Sequence, residues 1–302
     1  MIRVGAVDID TSHPKSFAPL MDKGGRAKYT CVYNAGFQKD TYVKAFMDEF
    51  DVPVRYDDLG EMAKNVDVAF IHSCNWDRHL ALAKPFVDAG TPVFVDKPIV
   101  GCLADCLQLV EWEKAGAVVL GSSSVRYARE IAEFMDQPVD DRGEILSVFG
   151  TAGVDEFNYG VHVVEGIGGF LPQGAHAVRC IHNAGVEHYQ VTYQAGPTAI
   201  YQLHTGAWHP FVYCVTTTKN VFSIPIDTGG IYAALLERIF DFIEDGKPMA
   251  STAELVETIK ICLAGKTSRE AHGAAIKLED LRLDDPGYDG DAFEREYAIA
   301  RG

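Results

Sequence analysis

Residues 1–121 alternate short apolar runs with segments of helical period, and no other feature restricts the fold of this chain as much. Ile2–Val7, Tyr29–Tyr33, Val68–Ile71, Pro92–Val95 and Ala117–Leu120 read as strands. Thr41–Phe50, Leu59–Asn65, Arg78–Ala89 and Leu103–Ala115 read as the helices between them. Near-continuous apolar strands are the ones buried on both faces of a parallel sheet, and strand–helix–strand units close through right-handed crossovers. Gly90 and Gly116 follow helices where a left-handed cap is wanted, and Pro85 predicts a kink inside one of them. The expectation is an α/β fold whose first half is a doubly wound parallel sheet with helices on both faces. Ligands of such sheets sit outside the carboxyl ends of the strands. Asp96 and Lys97 stand where the run Pro92–Val95 leaves the sheet, before Pro98 stops it, so Lys97 is aimed at a ligand crevice.

Near residue 122 the pattern changes. After a helix at Arg129–Asp136, the runs Ile145–Phe149, Tyr189–Tyr193, Ala199–Leu203, Val212–Thr217 and Val221–Ile224 read as consecutive strands. Strands without intervening helices predict a mostly antiparallel open sheet, hence a C-terminal α+β domain. Helix Ile231–Ile243 stops at Gly246, and a Ser251–Glu254 capping box opens another with Leu255, Ile259 and Cys262 on one face. The tail, residues 282–302, is polar and is expected on the surface. The expected division is a doubly wound domain over 1–121 and an α+β domain over 122–302.

Charge excludes some partners. The formal net charge is −16 without any Lys/Arg cluster, which argues against nucleic acid and anionic membrane surfaces. No apolar run approaches the roughly 18 residues that span a bilayer, and the strand pattern starts at once with no basic, apolar leader. Seven cysteines, an odd number without zinc-type spacing, fit a reducing cytoplasm. A cytoplasmic location is expected.

The turn after the first strand is where a dinucleotide cradle would place three glycines, for a tight turn, close approach to the diphosphate and packing on the sheet. Here those positions fall on Asp8, Asp10 and His13. One reading is that Asp10, Thr11 or Ser12 caps the following helix, with Pro14 in its first turn. Another is a site for something other than a diphosphate, including a cation held by Asp8, Asp10 and His13; no metal site is assigned. Asn34 ends the second strand, where an acid would take a ribose 2′-hydroxyl, so NADP is no worse than NAD there. His72, Ser73 and Asn75 would line the crevice, whereas His79 reads as a packed histidine.

These segments resemble the glucose–fructose oxidoreductase and inositol dehydrogenase family (Gfo/Idh/MocA). Tyr56-Asp57-Asp58 with Glu61-Met62 looks like its Y-x-D-x-x-E-[ML] segment, and Asp67–Ile71 with Asn75 and His79 like its D-V-D-A-V-x-I-x-T-P-N-x-x-H stretch. Asp96-Lys97-Pro98 is similar to its E-K-P tripeptide, and Arg126-Tyr127 to the R-F pair that follows the sixth strand. The D-T-S-H turn, Asp10–His13, marks a divergent branch. In the second half, FNYGVHVVEGIG resembles the family's D-x-G-x-H-x-x-D, with His162, Gly160 and Glu165 on matching positions and Asn158 in place of the first aspartate. The resemblance implies nucleotide binding by the first domain, 1–121, and substrate binding and oligomerisation by the second, 122–302. It implies a proton-transferring role for His162, assisted at position 158, and Lys97 hydrogen-bonded to the same substrate oxygen. Neutral imidazole suits removal of a hydroxyl proton near pH 7. His162 and Glu165 are also spaced to bind a metal with His176, as the lesser alternative.

The function expected is an NAD(P)-dependent oxidoreductase acting on a secondary hydroxyl or ketone of a sugar, polyol or related metabolite. Lys97, His162 and Asn158 would carry the chemistry, and NAD or NADP would lie against Asp10, Thr11, Ser12, His13, Asn34, Ser73, Asn75, Asp96 and Lys97. A carbohydrate-like ligand-binding protein without redox turnover is the alternative, followed by a lyase or hydrolase with a tightly held cofactor or a metal. The resemblance also implies a homo-oligomer formed through the C-terminal sheet, whose open face would expose the alternation of Tyr189–Tyr193 and Val212–Thr217.

Overall fold

The computed structural model describes residues 1–183, 185–194 and 196–301. Six strands form the first sheet: β1 Ile2–Val7, β2 Ala27–Tyr33, β3 Val54–Arg55, β4 Val68–Ile71, β5 Val93–Val95 and β6 Val119–Leu120. Their order is β3-β2-β1-β4-β5-β6 and every pairing is parallel. The helices between them are α1 His13–Gly24, α2 Asp40–Glu49, α3 Leu59–Ala63, α4 His79–Ala89 and α5 Leu103–Lys114. The order reverses between β1 and β4, which opens a crevice at the carboxyl edge, where ligands of doubly wound sheets bind. Strands β4 and β5 are buried at every residue, as their unbroken apolar runs require. Gly90 closes α4 in the left-handed conformation (φ 71°), and Pro85 lies inside that helix. The short strand β3 was not legible, because two exposed residues carry no period.

The second half contributes α6 Arg129–Met135, α7 Val139–Arg142, β7 Ile145–Val154, α8 Gly160–Phe170, β8 Ala175–Asn183, β9 Val186–Tyr193, β10 Thr198–Thr205, β11 Val212–Thr217 and β12 Val221–Pro225. Then follow α9 Ile231–Asp245, α10 Thr252–Glu270, β13 Ile276–Lys277 and α11 Gly290–Arg301. The seven-stranded sheet runs β12-β11-β7-β10-β9-β8-β13 and is antiparallel except for the β7–β10 pair. On β9 and β11 the residues facing the helices are Tyr189, Val191, Tyr213 and Val215, all buried. The expected exposure of this alternation therefore holds only for the intervening residues, such as Gln190, Val212 and Cys214, which are part-buried. Helix α10 begins with the expected Ser251–Glu254 capping box.

Helix α9 packs away from the sheet that precedes it in the chain. Its Leu235, Leu236, Ile239 and Phe240 join Phe17 and Met21 of α1 and Phe70 and Phe94 of the first sheet in one core. Full burial of a side chain such as Phe17 or Phe240 contributes about 1.5–3 kcal/mol. Arg26 adds ion pairs to Asp241 (2.9 Å) and Glu244 (2.5 Å) on the same helix. Tyr232, at the start of α9, is thereby carried to the carboxyl edge of the first sheet.

The C-terminal helix departs from the expected polar tail. Phe293 and Tyr297, one turn apart, stack on each other (5.6 Å), while Phe293 packs at a tilt on Trp76 (4.9 Å) and Tyr297 meets Phe37 edge-on (6.1 Å). Asp77 accepts the first backbone N–H groups of α11, from Gly290 (2.8 Å) and Asp291 (3.2 Å), and Trp76 Nε1 donates to the Tyr288 carbonyl (2.7 Å). Side-chain oxygens and the helix dipole both favour an acid there. An i,i+4 aromatic pair in an otherwise polar segment was the available signal.

Candidate active site

A cavity of ≈ 290 Å³ lies between the carboxyl edge of the first sheet, α8 and α11. Thr11, Ser12 and His13 enter it from the β1–α1 turn, Lys97 from the end of β5, Asn158, Tyr159 and His162 from the start of α8, and Tyr232 from α9. Trp208, Phe211, Phe293 and Tyr297 supply apolar walls.

Lys97 leaves the sheet where Val93–Val95 ends and is driven into this cavity. Its Nζ donates to the Asn158 Oδ1 (2.7 Å) and to the Asn158 carbonyl (3.1 Å), and lies 5.6 Å from the Tyr159 ring centroid. Burial lowers its pKa, opposed by Asp96 and Asp155. The missing acid of the motif is in part supplied from three residues upstream. Asp155 accepts from Asn158 Nδ2 (3.3 Å) and from the Tyr159 backbone N–H (3.0 Å), which ties the head of α8 and sets a negative charge behind Lys97. The sequence reading missed Asp155 because its partners are three and four residues away on a turn and not on the motif's own spacing.

His162 is buried on α8, its Nδ1 2.5 Å from Ser123 Oγ. Burial first, then the Lys97 ammonium, hold its pKa well below the ordinary histidine value, so the ring is neutral. Glu165, one turn on, faces away from the cavity. Its carboxylate accepts from Arg126 Nε (2.5 Å) and Ser122 Oγ (2.5 Å), joining α8 to the loop after β6. The alternative of a metal on His162 and Glu165 is thus not assembled.

Asp96 is wired to both histidines of the crevice. Its Oδ2 lies 2.6 Å from His13 Nδ1 and 3.0 Å from His72 Nδ1, and its Oδ1 accepts the Lys97 backbone N–H (2.8 Å). Burial alone would raise its pKa, yet the two imidazoles pull it well below the usual carboxylate value. His72 Nε2 in turn meets the Tyr29 hydroxyl at 2.9 Å. Both nitrogens of His79 are engaged by the carbonyls of Ile99 (3.0 Å) and Ser73 (2.9 Å), as a packed histidine requires.

At the other end of the crevice the β1–α1 turn holds its own anions. Asp8 adopts the left-handed conformation (φ 52°) that the absent glycine would supply. Its Oδ1 accepts the backbone N–H groups of Ala35 (2.7 Å) and Gly36 (3.0 Å), and Arg78 stands 3.3 Å from Oδ2 without hydrogen-bond geometry. Asp10 accepts from the Cys74 N–H (3.3 Å) and Ser73 Oγ (3.4 Å) through Oδ2, while its Oδ1 is buried without a hydrogen bond. Burial, then Asp8, push the Asp10 pKa up to about 7. Gly36 is packed so closely on this carboxylate that a Cβ there would overlap it. Asp10 does not cap α1, and neither does Ser12, whose side chain makes no cap bond; Pro14 does lie in the first turn, as expected. The cation triad Asp8–Asp10–His13 is not formed, because His13 turns to Asp96. Asp10, Cys74 and Glu294 instead bring ligand-capable atoms within 4.8 Å of one another.

The remaining sequence candidates divide between these two ends. Asn75 does not face open crevice: its Nδ2 donates to Asp291 (2.7 Å) and Glu294 (3.0 Å) of α11. Ser73 is turned to Asp10, and the Asn34 amide donates to the Gln38 carbonyl (3.1 Å) within its own loop. Lys97, Asn158, His162, Thr11, Ser12 and His13 come together at the cavity.

Residues 3–123 match the family model described as an oxidoreductase family with an NAD-binding Rossmann fold, Gfo/Idh/MocA. That match covers the first sheet and the helices between its strands. No curated relative matches the chain by sequence. Among solved structures, a probable dehydrogenase from Thermotoga maritima superposes with a TM-score of 0.79 at 15% identity, covering 93% of this chain and 100% of that one. The myo-inositol dehydrogenase of Lactobacillus casei, crystallised with NAD(H) and myo-inositol, gives 0.78 at 13% identity over 92% and 96% of the two chains. The scyllo-inositol dehydrogenase of the same organism, with NAD(H) and scyllo-inositol, gives 0.75 at 15% identity over 92% and 99%. At such identities the likeness is one of fold, and it extends across both sheets.

The family's NAD fits one end of this crevice better than the other. The cavity at Lys97 and His162 offers an apolar wall and two polar groups of the kind that would flank a nicotinamide ring and a carbinol. The diphosphate end does not fit in the arrangement seen here. Asp8 already occupies the amides of Ala35 and Gly36, Asp10 presents an uncompensated oxygen, and Glu294 of α11 closes over Asn75.

Proposed function

We propose that the chain is an NAD(P)-linked oxidoreductase acting on a secondary hydroxyl or ketone of a sugar, polyol or related small metabolite. The supporting observation is that Lys97 and His162, brought from opposite halves of the chain, line one cavity at the carboxyl edge of the family's NAD-binding fold. Inositols bound beside NAD(H) in similarly folded dehydrogenases favour a polyol.

A bound dinucleotide would supply the hydride acceptor or donor. The chain's own residues handle the oxygen and its proton. Lys97 is held by two oxygens of Asn158, which leaves an N–H for a substrate oxygen and stabilises negative charge developing there. His162 is neutral and buried, suited to hydrogen-bond or exchange a proton with a hydroxyl. Phe211, Phe293 and Tyr297 give the cavity an apolar wall against which a sugar or nicotinamide ring would pack. Thr11, Ser12 and His13 would lie nearest the cofactor's nicotinamide half, and Asp10, Asn34, Ser73 and Asn75 would face its diphosphate and ribose only after rearrangement.

The test is a spectrophotometric screen at 340 nm with NAD⁺ and NADP⁺ against inositols, aldoses and sugar acids. Lys97→Met and His162→Ala should each lower kcat by about 10²–10⁴ at near wild-type thermal stability. If neither variant loses rate on a substrate that turns over, the site lies elsewhere. The filled diphosphate end favours a second reading, a ligand-binding protein without redox turnover. Calorimetry showing inositol binding with no dinucleotide binding would select it. Pairing of chains through the outer face of the seven-stranded sheet completes the proposal, and light scattering that gives a monomer at micromolar concentration would end it.

A further inference from the structure

His13 stands where the family's turn has a glycine, and its environment is built for more than filling space. It is the first residue of α1, where Pro14 follows with its own φ pre-set for the helix. Its ring stacks on Phe17, one turn on, at 5.5 Å and 6°, and Tyr232 of α9 meets its edge at 5.1 Å. The third restraint is the 2.6 Å bond from Nδ1 to Asp96. Helix backbone, aromatic stack and carboxylate together leave the imidazole one orientation, in the wall of the cavity that Lys97 and His162 also line.

That bond also decides where the proton sits. Asp96 is buried and ionised, so it only accepts, and His13 must donate from Nδ1. In the neutral ring the lone pair is then on Nε2, which makes no hydrogen bond among the described residues. His162 lacks such a device. Ser123 Oγ already accepts the Val125 N–H and can also donate its own proton to His162 Nδ1, which would put hydrogen, not a lone pair, on that Nε2. An imidazole oriented by a buried carboxylate through Nδ1, with Nε2 toward the ligand, is the arrangement of a general base.

We propose that His13, oriented by Asp96, is a proton-transferring residue of this cavity, taking the hydroxyl proton of a carbinol whose oxygen lies against Lys97. The inference rests on the oxidoreductase reading. In the step the substrate O–H bond breaks, its proton moves to Nε2, and the electron pair stays on oxygen beside the Lys97 ammonium. The imidazolium keeps its Nδ1–H on Asp96, whose charge compensates it. In the reverse direction the same nitrogen returns the proton. Asp96 acts through His13 and is a positioning residue.

Two measurements on the full chain need no substrate. Nitrogen-15 correlation spectra of the imidazoles, with His13 assigned through His13→Gln or His13→Asn, should show Nδ1 protonated and Nε2 bare at pH 7.5. Asp96→Asn should mix or invert that tautomer. Diethyl pyrocarbonate should carbethoxylate His13, read by peptide mass, at least about tenfold faster in wild type than in Asp96→Asn. A protonated Nε2, a tautomer indifferent to Asp96→Asn, or an unmodified His13 would overturn the proposal. With myo-inositol and NAD⁺, or whichever pair from the screen turns over, His13→Gln should lose about 10²–10⁴ in kcat with KM within about threefold. Undiminished kcat overturns the proposal too. Failure of wild type to turn over any pair would sink the redox reading and the transfer step with it. The tautomer and modification results would then still decide whether His13 presents a basic nitrogen to the cavity.

Discussion

Two buried carboxylates at the two ends of one crevice have opposite fates. Asp96 receives hydrogen bonds from two imidazoles and a backbone amide, and its pKa falls although burial pushes it up. Asp10 is as buried, receives two long bonds on one oxygen and none on the other, faces Asp8, and is pushed up to about 7. Burial raises the pKa of both acids and so cannot by itself account for their different charge states. The donors and charges the fold turns toward each acid make the difference. The difference separates the two ends by purpose: Asp96 is a permanent anion that can hold a base in one tautomer, and Asp10 is a group that ionises only at a cost to the fold.

Asp96→Asn tests the first half of this comparison and should have the largest effect. An asparagine keeps the shape but removes the charge between His13 and His72, weakening two hydrogen bonds to a charged group, each worth about 1.5–3 kcal/mol. Urea unfolding at pH 7.5 measures it; a loss under about 1 kcal/mol would mean that Asp96 is not the charge that organises this end. In the wild type this contribution is present above the unfolded carboxylate value near 4. It is lost as pH falls through the lower folded value.

Asp10→Asn should act with the opposite sign. The folded state retains a proton that the unfolded chain releases, so the stability contribution of Asp10 declines as pH rises from about 4 to about 7 and is flat above. The asparagine removes that decline and should stabilise the protein at pH 8, by at most about 4 kcal/mol for a shift of this size, with little change at pH 4. Equal unfolding midpoints of variant and wild type at pH 8 would make the two ends alike after all.

The smallest effect sharpens the comparison at the ligand level. Glu294→Gln removes the acidic neighbour of Asp10 and one acceptor of Asn75 while leaving Phe293 and Tyr297 in the cavity wall. NADH binding, followed by fluorescence titration, should tighten about tenfold, close to 1.4 kcal/mol. Unchanged affinity would place the obstacle in the turn itself and not in the helix that covers it.

Much of this was present in the order of residues alone. The alternation before residue 121 determined a parallel sheet, because strands buried on both faces and helices with one apolar stripe have few other ways to bury their surfaces. The apolar run ahead of Asp96 and Lys97 put those two at the sheet's carboxyl edge for the same reason. His162, singled out by the spacing of a motif, lines the same cavity as Lys97. What the sequence could not determine was which groups meet. Asp8 reads as a lost glycine until the turn after β2 brings it two amides, and His13 reads as a helix start until β5 brings it Asp96, 83 positions away. The polar tail became a helix over the diphosphate end through Phe293 and Tyr297, whose partners lie more than 200 residues earlier. Periodicity reports which face of an element is buried, a local property. Hydrogen-bond partners of a carboxylate are set by chain segments that only tertiary folding brings within 3 Å of it.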